Sequence, residues 1–82
     1  MMRAFVLVNT ELGSEEKTLE QLKNLPCVKE AHNVVGIYDT VAVVEVERIG
    51  DLKDVVSRRI RRIEGIRFTL TIPTVKGFTK RE

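Results

Sequence analysis

Gly36-Ile37-Tyr38-Asp39-Thr40-Val41-Ala42-Val43-Val44-Glu45-Val46-Glu47 is the stretch on which the fold turns. A glycine and an aspartate mark a turn, and from Val41 onward the chain alternates with the period of a strand. Ala42, Val44 and Val46 fall on one face, Val41 and Val43 on the other. The segment from Val28 to Val35 alternates more weakly, so the simplest reading is two antiparallel strands joined by a hairpin that contains Gly36. Glycine at such a turn permits a positive φ and a close approach to the backbone.

Working outward, each flank carries one helix and one strand. On the N-terminal side, Leu19, Leu22 and Leu25 recur at spacing three and form an apolar stripe. Ahead of them, Glu11-Leu12-Gly13-Ser14 supplies a turn with Ser14 as N-cap, and Glu15 and Glu16 sit in the first turn, where the helix dipole favours acids. Pro26 stops this helix, because proline disfavours the α conformation in the residue before it. Further out, Arg3 to Asn9 is apolar on both alternations, as a central strand covered on both faces must be. On the C-terminal side, Gly50-Asp51 punctuates the chain, and Leu52, Val55, Val56, Ile60 and Ile63 trace a second helical face. Gly65 suits the residue just past that helix, and Ile66 to Ile72 alternates as a last strand. Pro73 removes a ladder donor and should end the strand or keep it at an edge. The charged tail from Lys76 to Glu82 is expected to be loosely held.

The order is therefore βαββαβ in a single domain spanning 1–82, with no Pro/Gly/Ser-rich linker and no internal repeat. Two split βαβ units predict an α+β fold: a ferredoxin-like sandwich with a four-stranded antiparallel sheet and both helices on one face. The opposite face has no helix to cover it. Because its first and third strands are apolar there too, a lone chain would expose a greasy sheet, and such patches mark interfaces. Length points the same way, since a domain of 82 residues buries only about 60% of its unfolded surface. A dimer or larger assembly through the sheet is expected.

Composition removes several function classes. The chain has 43% apolar and 32% charged residues, a formal net charge of +2, and one cysteine. Cys27 cannot form an internal disulfide, and Cys27 with His32 cannot complete a four-ligand zinc site, so no metal or other cofactor is expected. No apolar run approaches the roughly 20 residues of a membrane span. Met1-Met2-Arg3 introduces no signal peptide, which places the expected location in the cytoplasm, without membrane partners. Plentiful Lys, Arg and Glu beside scarce Asn and Gln is a thermophile-like bias.

Catalytic chemistry lacks a constellation. Cys27 follows Pro26 with no base beside it, and a free cysteine more often behaves as a small buried apolar residue. There is no phosphate-binding glycine loop, no HExxH and no CxxC, so the chain does not read as an enzyme and no catalytic residue is assigned. Arg58-Arg59-Ile60-Arg61-Arg62 on the second helix admits two readings: phosphate contact by a nucleic-acid-binding module, or a solvated face paired with neighbours such as Asp54 and Glu64. An RNA-recognition motif shares the element order but needs aromatics on the open sheet, and only Phe5, Tyr38 and Phe68 are offered. A third reading is a purely structural assembly domain. The most informative cluster is Gly36, Tyr38 and Asp39, with Thr69 and Thr71 on the last strand to complete a site. Exposed amides and hydroxyls suit a carboxylate, and Asp39 suits an ammonium group, as a zwitterionic amino acid requires. A Gly/Asp turn is, however, more often only a turn.

The sequence also resembles a family, the ligand-binding domain of the leucine-responsive/asparagine-synthetase-activator (Lrp/AsnC) regulators. The resemblance rests on Ala4-Phe5-Val6-Leu7-Val8, on Leu25-Pro26-Cys27-Val28-Lys29-Glu30-Ala31, on Gly36-Ile37-Tyr38-Asp39 before an apolar strand, and on Gly65 to Ile72. It implies a dimeric alpha-beta barrel built through the sheets, assembly of dimers into octamers or similar rings, and an amino-acid effector bound in clefts between dimers. Gly36, Tyr38 and Asp39 would border that cleft, with Thr69 and Thr71 nearby. One departure accompanies it: the full regulators carry an N-terminal helix-turn-helix domain, whereas this chain begins at the ligand-binding domain. The resemblance is thus to stand-alone versions, without direct sequence-specific DNA binding, that modulate transcription through assembly or by co-assembling with full-length relatives.

Overall fold

The computed structural model describes residues 1–80; Arg81 and Glu82, the end of the charged tail, lie outside them. The elements are β1 (Met2–Thr10), α1 (Glu15–Lys23), β2 (Val28–Asn33), β3 (Thr40–Val46), α2 (Ile49–Val55), a π-helical turn (Val56–Ile60) that continues α2, and β4 (Ile66–Pro73). The sheet order is β2-β3-β1-β4 with every neighbouring pair antiparallel. This is the ferredoxin-like α+β arrangement expected from the βαββαβ order. Among the described residues no helix is long and apolar enough to cross a membrane.

The two strands that read as apolar on both faces, β1 and β3, occupy the centre, between the two edge strands. The core forms on the helix side from Val6 and Val8 of β1, Val44 of β3, Leu22 of α1, Leu52 of α2 and Ile60 of the π turn. Burying side chains of this size contributes about 1.5–3 kcal/mol each. Both edge strands are more polar, and Pro73 sits at the end of edge strand β4, opposite Ala4. The amide of Thr74 restores the ladder one residue later by donating to the Arg3 carbonyl at 2.8 Å.

The helices depart from the sequence reading in four details. Ser14 holds the N-cap position of α1, but its hydroxyl caps nothing. Ser14 is pressed against Gly65, on which a Cβ would lie 2.9 Å from Ser14 Cβ and 3.0 Å from its Oγ. The stripe of α1 is centred on fully buried Thr18 and Leu22, one turn apart, while Leu19 and Leu25 are only half-buried. Gly50 lies within the first turn of α2 instead of ahead of it, because Asp51 accepts a hydrogen bond from the Arg48 amide at 3.2 Å and so starts the helix at Ile49. Finally, α2 widens after Val55, with the Arg61 amide donating to the Val56 carbonyl at 2.9 Å, an i to i+5 bond. Leu52, Val56 and Ile60 are spaced by four, and in a regular α-helix each such step overrotates by about 40°. The wider turn takes up that excess and keeps Ile60 fully buried.

The hairpin is also a longer connection than expected. β2 ends at Asn33, not Val35, and Val34 to Asp39 form an irregular loop. Gly36 does not adopt a positive φ; among the described residues only Gly13 and Gly65 do. A six-residue connection turns without the left-handed conformations that a two-residue hairpin demands. On the uncovered sheet face, Phe68 is 66% exposed and Leu70 and Ile72 are each 45% exposed. Phe5 and Leu7 lie beside them on β1, opposite Ile72 and Leu70.

Candidate functional site

The Val34–Asp39 loop is built on a rigid base. The Val34 amide donates to the Asp39 carbonyl at 2.8 Å, and the Asp39 amide donates to the Val8 carbonyl at 2.9 Å. Beside them, the Thr40 hydroxyl donates to Asn33 Oδ1 at 3.1 Å. The Asp39 carboxylate closes the base: Oδ2 accepts from the Thr10 amide at 2.9 Å and from the Thr10 hydroxyl at 3.4 Å. Charge-assisted bonds to a backbone amide are among the stronger hydrogen bonds. Asp39 therefore fastens the loop to the end of β1, a role that sequence spacing between residues 29 apart could not reveal.

Above this base the loop is open. Val35 and Ile37 are 105% and 87% exposed. Tyr38 is half-buried and Gly36 exposed. The amides of Val35, Gly36, Ile37 and Tyr38 donate to no acceptor among the described residues, and neither does Asp39 Oδ1 accept from any. Four consecutive amides are thus free to donate to an anion. Together with a remaining carboxylate oxygen, they offer both halves of a zwitterion's requirement.

The two threonines are placed differently. Asn33, Thr40, Val8 and Thr69 form one row across the sheet. Thr69 thus lies two strands from the loop's base, about 10 Å away. Thr71 lies in the next row, with Ala42 and Val6, on the helix side. It lines a groove of about 360 Å³ with Ile49, Leu52, Val56 and Pro73. Gly36, Tyr38 and Asp39 thus share one loop, Thr69 lies at the far end of the row at that loop's base, and Thr71 faces α2.

Other singled-out residues have ordinary surroundings. Cys27 is half-buried against the core. His32 is exposed, 3.2 Å from Glu30, which also meets Arg3 at 3.4 Å. The described residues contain no cluster of three metal-ligating side chains. Of the arginine run, Arg58 lies 3.9 Å from Asp54. Arg58, Arg59 and Arg62 face α1, whereas Arg61 falls on the opposite side with Lys53 and Thr71.

The Lrp/AsnC ligand binding domain family matches residues 3–81, nearly the entire chain. This chain belongs to that family. Among solved structures, FFRP-DM1 is similar over 92% of this chain and 100% of its own, at 36% identity and a TM-score of 0.88. TTHA0845 from Thermus thermophilus is similar over 98% of this chain and 100% of its own, at 32% identity and a TM-score of 0.91. The transcriptional regulator NMB0573 of Neisseria meningitidis, solved as a complex with L-Met, shares the fold with a TM-score of 0.86 over 96% of this Lrp/AsnC-type chain and 53% of its own, at 12% identity. Among curated proteins no match is found.

Proposed function

We propose that this Lrp/AsnC-type domain binds a small effector, an amino acid, at the Val34–Asp39 loop, in a cleft completed by another subunit, and that binding modulates transcription through assembly. The observation that carries the reading is the combination at one loop: a base clamped by Asp39 on Thr10, a run of unpaired amides above it, and apolar residues at its tip in water. Val35 and Ile37 have no stabilising role in an isolated chain. Exposed apolar residues beside open polar groups are the expected composition of a site that a second subunit covers.

In this reading the amides of Gly36 and its neighbours receive the effector's carboxylate, Asp39 Oδ1 receives its ammonium group, and Tyr38 provides a wall with a polar tip. Thr69, two strands away in the row at the loop's base, would contribute only to a ligand that extends along the sheet end. The relative solved with L-Met supports an amino acid as the ligand class. Dimerisation through the open sheet, with dimers joining into an octamer or similar ring, brings loops of different subunits together. Co-assembly with full-length regulators would convey the effector's presence to DNA. An effector shifts such an equilibrium only by its difference in affinity between assemblies.

The deciding experiment is calorimetric titration of the purified protein with each of the twenty amino acids, with size-exclusion chromatography in the presence and absence of each. At least one amino acid is expected to bind saturably and to change the elution volume. Absence of binding across the set, with an unchanged assembly, would overturn the reading and leave a purely structural domain.

A further inference from the structure

The strongest concentration of charge lies away from the loop, in the groove between α1 and the π turn. Lys17, Arg58, Arg59 and Arg62 line it with a single carboxylate, Glu64. Four cations thus face one groove in a chain whose formal net charge is only +2. Their pairing is weak: Lys17 meets Glu64 at 3.8 Å and Arg58 meets Asp54 at 3.9 Å, while Arg59 and Arg62 have no acidic partner among the described residues. Exposed pairs at such distances contribute little. Four cations held by only two weak, exposed pairings repel one another, so the arrangement gains free energy when an anion enters.

From this groove we infer a second ligand site, specific for a small anion that carries two or more linked phosphates. Guanidinium groups donate paired N–H bonds that match phosphate oxygens. The cations lie on two facing elements, Lys17 on α1 and the arginines along one turn opposite, so a single phosphate would reach only part of them and a phosphate chain reaches both walls. The amides of Gln21 and Asn24 add neutral donors on the α1 side. The groove has a volume of about 630 Å³, within the range of small-molecule sites. Its concave form between two helices favours a small ligand over duplex DNA, which needs a basic surface laid along many phosphates. Arg58 and Arg62 line the α1 side, while Arg61 lies on the far side, beside Lys53.

The test is calorimetry at low salt with inorganic tripolyphosphate and, in parallel, ATP without divalent metal; orthophosphate serves as the comparison. Saturable binding of one tripolyphosphate per chain is expected, at least tenfold tighter than orthophosphate. ATP binding more tightly than tripolyphosphate would identify a nucleotide, with Leu25 and Ile63 as the floor under its base; equal affinity would identify the phosphate chain alone. Arg59→Gln with Arg62→Gln is expected to weaken binding at least tenfold, and Glu64→Gln to strengthen it. Arg61→Gln removes one positive charge from the opposite side and is expected to leave affinity unchanged. All these side chains are exposed, so circular dichroism should show an unaltered fold. The inference is overturned if no saturable binding occurs, if Arg61→Gln weakens binding as much as a groove variant, or if duplex DNA binds through these arginines while tripolyphosphate does not. A change in oligomeric state on Arg59→Gln with Arg62→Gln, without phosphate binding in the parent, would likewise overturn it and assign the groove to a subunit contact.

Discussion

At the scale of a single residue, Asp39 clamps Thr10 and is proposed to hold the effector's ammonium group, and different substitutions separate the two. Asp39→Ala leaves the partly buried Thr10 amide without its acceptor. Stability is then expected to fall by about 1–3 kcal/mol in denaturant unfolding at fixed protein concentration. Asp39→Asn keeps a carbonyl oxygen for that amide and removes only the charge. Its stability is expected to stay near the parent's, while affinity for the proposed amino-acid effector falls at least tenfold by calorimetry. Undiminished affinity in Asp39→Asn would remove the ammonium-binding role and leave the clamp. Gly65 is constrained twice, by a φ of +96° and by the contact with Ser14. Gly65→Ala is expected to cost about 2 kcal/mol or more, from left-handed strain together with the clash. Thr18 is completely buried and its hydroxyl has no hydrogen-bond partner among the described residues. Thr18→Val removes an unpaired polar group at nearly constant shape and is expected to stabilise by up to about 1 kcal/mol, read from the same unfolding curves.

At the scale of elements, periodicity carried most of the information. β1 and β3 were legible because they are apolar on both faces, a pattern that only central strands sustain. The C-terminal helix was legible as an apolar face from Leu52 to Ile63, but its wide turn was not. Nothing in Val56 to Ile60 signals an i to i+5 bond; it follows from packing Leu52, Val56 and Ile60 on one side of the sheet. Ile60 is fully buried at the end of that turn. Ile60→Ala is therefore expected to cost about 2–5 kcal/mol in the same unfolding measurement, since it empties that position. The β2–β3 connection shows the opposite limit. Gly36 and Asp39 marked a turn correctly, yet the six-residue form depends on where β2 stops pairing, and that is set by Asn33 meeting Thr40.

At the scale of the whole molecule, the uncovered sheet face organises the expectations about assembly. Leu70 lies within it, opposite Leu7 and 45% exposed. If the proposed dimer forms through this face, Leu70→Lys is expected to halve its sedimenting mass in analytical ultracentrifugation, because a two-fold interface receives the buried charge twice. An unchanged mass would move the interface elsewhere. The amino-acid sequence by itself determined the element order, the two central strands, the apolar face left without helices and the loop rich in candidate groups, because each is written in local period and turn chemistry. Only the tertiary structure decided that Asp39 reaches Thr10, that Thr71 faces α2 while Thr69 stays in the loop's row, and that Lys17 faces the arginines across a groove. Those are encounters between residues far apart in the chain. They depend on strand register and on the packing of helices against the sheet, which local periodicity does not specify.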